Sequence, residues 1–179
     1  MLQREHCGLL IIDIQGRLAQ TVEESAALLD NCRRLILSVQ CLGLPIVWVE
    51  QNPQGLGTTV PELADLLTGL QPISKYSFDA CGEPAVLQAV QDSGRQQWLL
   101  CGIEAHICVF QTARSLLARG YQVELLSDCM ASRRLANKQL ALSRLQGLGA
   151  TLSSLEMSLF ELLGDCRSEA FRPVLALLR

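Results

Sequence analysis

The sequence predicts an α/β fold, a three-layer αβα sandwich around a six-stranded parallel sheet of Rossmann-like type. Three observations carry this. Short apolar runs such as GLLIID, PIVWVE and WLLC alternate along the chain with stretches of helical periodicity. The runs are apolar at successive positions, as in parallel strands covered on both faces. The connections are short, with no linker, low-complexity segment or internal repeat. At 179 residues the chain is long enough for one core and short for two, so 1–179 reads as one domain.

Gly8 to Asp13 reads as the first strand. Glu23 to Leu42 reads as a helix, with Leu28, Cys32, Leu35, Ile36 and Val39 on one face and Gly43 just beyond it. Pro45 to Glu50 is the second strand by its β-branched and aromatic content. Asn52 to Gly57 has loop composition, and Pro61 opens a short helix through Leu67. Pro72 to Ser77 is a third, short strand, and Pro84 to about Gln91 a helix. Trp98 to Cys101 is the fourth strand and Gly102 to Ala105 a turn. A helix follows with Val109, Ala113, Leu116 and Leu117 on one stripe, closed by Gly120. Gln122 to Leu126 is the fifth strand. Ser132 is placed to cap a helix carrying Leu135, Leu142 and Leu145, ended by Gly147 and Gly149. Ala150 to Ser153 is the sixth strand, and Ser158 and Ser168 are placed to cap two closing helices.

Composition narrows the function. Charged residues make up 18% and apolar residues 49%, less charge than the roughly 25% of a typical soluble domain. That balance predicts a homo-oligomer, a dimer or larger. A net charge of -3 gives no electrostatic case for nucleic acid or an anionic membrane. No stretch approaches a membrane span, and the apolar run at the N-terminus is too short for a signal peptide. The eight cysteines show no CxxC and no clustering, which reads as a cytoplasmic protein with mostly buried thiols.

Parallel strands all end at one edge of their sheet, so their terminal residues can meet. Asp13 ends the first strand, Lys75 sits in the third, and Cys108 follows the fourth at the start of a helix. An acid, an amine and a thiol meeting there supply a base, an electrostatic support and a nucleophile. The helix N-terminus and Lys75 are expected to lower the Cys108 pKa, with a negative Asp13 opposing. Each residue also has an ordinary reading: a strand-end aspartate, a solvated lysine, a small packed cysteine. An acyl-transfer site also needs donors for an oxyanion. The backbone N–H groups of Glu104 and Cys108 supply them if the Gly102–Ala105 turn aims both into one pocket.

The wording of the motifs goes further. GIEAHICVFQTA, Asp13-Ile14-Gln15 after an apolar strand, and Lys75 in PISKYSFDA resemble the isochorismatase-like cysteine hydrolases. GLGTTVPEL, SDCMASR and LFELL extend the match in order along nearly the whole chain. Within the family the chain resembles the small hydrolases of unassigned substrate. The resemblance implies a six-stranded parallel sheet and a triad of Asp13 as base, Lys75 as its partner and Cys108 as nucleophile. It implies hydrolysis of a small molecule, through a thioester where the bond is an amide or urea. It also implies a cis peptide at Ile103–Glu104. The family's nicotinamidases carry a metal site of Asp and His residues after the second strand. Here that region reads Glu50-Gln51-Asn52-Pro53, and the only histidines are His6 and His106. No metal and no cofactor are expected.

Gln15, Glu50, His106 and Gln111 are candidate pocket residues, each equally able to brace the nearby backbone. The other seven cysteines read as inert packing. Two alternative functions use the same site: a ligand-binding or assembly protein without turnover, and a redox-sensing thiol protein.

Overall fold

A computed structural model describes residues 1–179. Six strands form one parallel sheet in the order β3-β2-β1-β4-β5-β6. They are β1 (Cys7–Ile12), β2 (Ile46–Gln51), β3 (Ile73–Lys75), β4 (Gln97–Ile103), β5 (Gln122–Ala131) and β6 (Thr151–Ser153). Nine helices flank them: α1 (Gly16–Thr21), α2 (Ser25–Cys41), α3 (Pro53–Leu56), α4 (Pro61–Ala64), α5 (Pro84–Asp92), α6 (Phe110–Ala118), α7 (Leu135–Gly147), α8 (Leu155–Leu163) and α9 (Phe171–Leu178).

The apolar runs follow from this arrangement. Every residue of β1 is buried. Leu9 and Ile11 enter the core layer shared with α2, α8 and α9. Leu10 and Ile12 enter the opposite layer, shared with α5, α6 and α7. Both sets are fully buried, so neither face of the strand has room for a polar position. Each such side chain contributes about 1.5–3 kcal/mol on burial.

The chain runs outward from β1 through β2 to β3, then crosses back to pair β4 with the other side of β1. The reversal makes a crevice between the carboxyl ends of β1 and β4, where open α/β sheets bind ligands. Asp13 and Cys108 lie just beyond those two ends.

Several elements differ from the sequence expectation. The short helix α1 and the single turn α3 fall in stretches read as connections. Strand β5 runs on to Ala131 because, after a register shift, Met130 and Ala131 pair again with Gly102 and Ile103. Ser132 does not cap α7, which starts at Leu135; its hydroxyl lies 3.0 Å from His106 Nδ1 instead. Leu135 is exposed, while Leu142 and Leu145 are buried. Ser154 caps α8 by accepting from Met157 N–H; Ser158 lies inside that helix, bonded to Ser153. Ser168 is not a side-chain cap either, since α9 begins at Phe171 behind Ala170. Six cysteines are buried and two, Cys41 and Cys166, are exposed. No helix is long and apolar enough to cross a membrane.

Candidate active site

Asp13 leaves β1 with φ of +54°, a left-handed conformation that aspartate tolerates better than most residues. The chain turns there, at the carboxyl edge of the sheet. Lys75 ends β3, two strands away, roughly 10 Å at ordinary strand spacing. Its long side chain spans the end of β2. The Nζ donates to Asp13 Oδ2 at 2.7 Å, to Gln51 Oε1 at 2.7 Å and to Ser77 O at 3.3 Å. Three acceptors surround the three N–H bonds of an ammonium. Lys75 is fully buried and Asp13 nearly so. A lysine is rarely found so deep without a paired charge.

The pair leaves one atom over. Asp13 Oδ1 is buried and has no hydrogen-bond partner. Cys108 faces the same carboxylate, close enough for each to alter the other's protonation. Burial raises the Asp13 pKa above its ordinary value, and the neighbouring Lys75 charge works against that rise. Burial also pushes the Cys108 thiol up to about 12, reinforced by the Asp13 charge and opposed by Lys75. This overturns the expectation of a lowered cysteine pKa. Loss of water around the sulfur and a facing carboxylate outweigh the lysine. The resting group is a thiol beside a carboxylate.

Cys108 sits in a π-helical turn, Ala105–Val109, that leads from β4 into α6. The preceding Ile103–Glu104 peptide is cis, as the resemblance implied. Gly102 makes the approach possible. Its φ is +133°, and a Cβ built there would lie 2.0 Å from Ile12 O. Only glycine lets β4 run this close to β1 at that point. The Glu104 carboxylate is buried and fixes the turn from the side. Its Oε2 accepts from Arg133 N–H at 2.9 Å, and both oxygens lie 3.1 Å from Arg133 Nε.

Asp13, Gln51, Glu104 and Cys108 line a cavity of about 100 Å³. Leu18, Leu56, Phe78, Ile103 and Ile107 supply its apolar walls. The volume suits a molecule of a few heavy atoms, below the roughly 300 Å³ at which drug-sized pockets begin.

The structure brings together Asp13, Lys75, Cys108 and Glu104, and none of the other candidates lines the cavity at Cys108. Gln15 is fully buried and spent on the backbone: Nε2 donates to Gln51 O and Gly57 O, and Oε1 accepts from Gln51 N–H. Glu50 accepts from Thr59 N–H at 2.6 Å and holds the same loop. His106 and Gln111 line a different cavity, between α6 and α7. The sequence reading missed Gln51, which is in register with Lys75 across the β2–β3 pair. Its amide accepts from Lys75 and donates to Tyr76 O. The available signal was its place at the strand end, beside Glu50. No three His, Cys, Asp or Glu side chains come together at metal-binding spacing.

Comparison with known proteins defines the class. The isochorismatase domain matches residues 7–157, most of the chain. The chain therefore belongs to the isochorismatase domain family, and the sandwich is that of its hydrolases. Isochorismatase domain-containing protein 2 of Danio rerio is 36% identical over 170 residues, 95% of this chain and 85% of that protein. The structure of MAR1 ribonuclease from Caenorhabditis elegans superposes with a TM-score of 0.93 at 31% identity, over 99% of this chain and 91% of that one. The YcaC gene product of Escherichia coli, described as an octameric hydrolase of unknown specificity, also superposes with a TM-score of 0.93. There the identity is 22%, over 98% of this chain and 89% of that one, and the likeness is one of fold.

Proposed function

We propose that this protein is a cysteine hydrolase of a small molecule, acting on a C–N bond of amide or urea type. The observation that carries the reading is the buried carboxylate of Asp13, with Oδ2 tied to Lys75, Oδ1 left without a partner, and the Cys108 thiol facing the same carboxylate across one cavity. A buried acceptor left open beside a protonated nucleophile is arranged to take a proton.

Cys108 Sγ attacks the substrate carbonyl carbon while its proton passes to Asp13 Oδ1. The backbone N–H groups of Glu104 and Cys108 serve the resulting oxyanion. Protonated Asp13 then delivers the proton to the leaving nitrogen, the C–N bond breaks, and a Cys108 thioester remains. Water attacks the thioester with Asp13 again as base. The acid leaves and the thiol returns. Lys75 keeps Asp13 ionised between proton transfers and, through Gln51, fixed in place. A thiol near pKa 12 makes this coupled transfer necessary, since a free thiolate is scarce at neutral pH. A redox-sensing role is less favoured by the same fact, because oxidation follows thiolate character and exposure.

The MAR1 ribonuclease relative raises RNA as a substrate. A largely apolar cavity of about 100 Å³ favours a smaller molecule. Exposed Leu56, Tyr76 and Phe78 lie close to the cavity in sequence or line it, and support a homo-oligomer that covers them. The octameric description of YcaC supports the same reading.

The test is turnover of small amides, ureas, carbamates, isochorismate and single-stranded RNA by wild type, Cys108→Ala and Asp13→Asn. One small substrate should be hydrolysed, with kcat reduced about 10⁴-fold or more in Cys108→Ala. Turnover unchanged in Cys108→Ala, or turnover of RNA alone, would refute the proposal.

A further inference from the structure

The second cavity has no part in this chemistry. It has a volume of about 380 Å³ and shares no lining residue with the cavity at Cys108. Both nevertheless draw on the Ala105–Val109 turn and its continuation into α6: Ile107 and Cys108 line one, His106 and Phe110 the other.

Its floor is the ring of Phe110, nearly buried. Two guanidiniums approach that ring. Arg144 Cζ from α7 is 4.8 Å from the centroid and Arg114 Cζ from α6 is 5.9 Å. Cation–π contact at these distances holds the planar groups while leaving their N–H edges free. Neither arginine forms a salt bridge, and neither side chain has a hydrogen-bond partner within the protein. His106 Nε2 lies 3.3 Å from Asn137 Nδ2 at the same cavity, and its Nδ1 is anchored on Ser132. Leu140 adds an apolar wall that is 60% exposed.

The surroundings carry the same sign. The chain as a whole is acidic, with net charge -3, yet no Asp or Glu occurs between Ala105 and Val123 or between Cys129 and Leu155. Those stretches contain α6 and α7 entire. Glu104, just before the first of them, is already committed to Arg133. Two unpaired arginines over one aromatic floor therefore face no competing carboxylate on either helix that forms the cavity. Guanidiniums recognise planar or tetrahedral oxyanions through paired N–H donors, and two of them match a dianion.

We propose that the cavity between α6 and α7 binds a phosphate monoester dianion carried on a small apolar or aromatic group. The phosphate lies between Arg114 and Arg144, and the apolar group packs on Phe110 and Leu140. The proposal is independent of the hydrolase reading, since no residue of the Asp13–Lys75–Cys108 site takes part.

The experiment is isothermal titration of the full-length protein with phenyl phosphate. Wild type should bind one molecule per chain with Kd below about 1 mM. Arg114→Gln and Arg144→Gln, both exposed positions, should each weaken binding roughly tenfold or more. Arg172→Gln on α9 and Cys108→Ala should bind as wild type does. Inorganic phosphate should bind at least roughly tenfold more weakly, for want of the apolar contact. Four results would overturn the proposal: no binding by wild type, unchanged binding in both arginine variants, equal affinity for inorganic phosphate, or binding of a single-stranded RNA oligomer in place of phenyl phosphate. Circular dichroism of each variant separates lost binding from lost fold.

Discussion

Replacing Lys75 with methionine should expose the energetics of the buried pair. The Nζ to Oδ2 distance is 2.7 Å, and Lys75 and Asp13 are 0% and 3% exposed. At an effective dielectric of about 20, charges at that separation attract by about 6 kcal/mol. Desolvation of two ions, several kcal/mol each, offsets most or all of this. The intact pair is thus worth little net, but removing one member leaves the other uncompensated at a cost of about 3–5 kcal/mol. The cost depends on pH. Without Lys75, Asp13 loses the charge that opposed its desolvation, and its folded pKa rises further above the unfolded value. The folded state then binds more protons than the unfolded state, so stability falls as pH rises from about 4 towards the folded pKa. The slope is at most about 1.4 kcal/mol per pH unit. From pH 5 to 7, Lys75→Met should therefore lose up to about 2.7 kcal/mol more than wild type. Urea denaturation followed by circular dichroism at the two pH values measures this. The double variant Asp13→Asn/Lys75→Met, with neither charge of the pair left, should recover most of the loss and flatten the pH dependence. A Lys75→Met protein as stable as wild type at both pH values would refute the reasoning. So would a double variant no more stable than the single one at pH 7.

The pH dependence of turnover follows from the same site. kcat/KM should rise with pH as Asp13 ionises, with a midpoint above the ordinary carboxylate value of 3.8. No second rise from thiol ionisation is expected below about pH 10, given a Cys108 pKa of about 12; a limb near pH 8 that disappears in Cys108→Ser would contradict this. Alkylation with iodoacetamide at neutral pH should label the exposed Cys41 and Cys166 ahead of Cys108, which is 7% exposed, as peptide mapping over a time course will show. Gly102→Ala should destabilise the protein by about 2–5 kcal/mol, combining a clash with Ile12 O and a positive φ. An unchanged melting temperature in that variant would show that β4 can move away from β1.

The chain's own pattern determined the layers. Apolar runs without alternation specify strands buried on both faces, and the helical stripe of Leu28, Cys32, Leu35, Ile36 and Val39 specifies the face that α2 turns to the sheet. Local chemistry was less decisive at helix starts, where several serines compete for one cap and backbone geometry selects among them. Ser154 holds that role for α8, while Ser132 turns to His106. The residues of the candidate site were legible for a similar reason. Parallel strands end together, and the motif words around Asp13, Lys75 and Cys108 resemble one family. Their energetics were not legible. The sequence places a cysteine near a helix start and a lysine, which argues for an easy thiolate; only the tertiary structure supplies the burial and the facing carboxylate that reverse it. Strand order likewise set the partners. Gln51 became the neighbour of Lys75 through the β2–β3 register, Gln15 and Glu50 were drawn into holding a loop, and His106 and Gln111 faced α7. Sequence periodicity fixes which side of an element is buried, but the direction in which each polar side chain finds its partner depends on which elements the fold sets beside it.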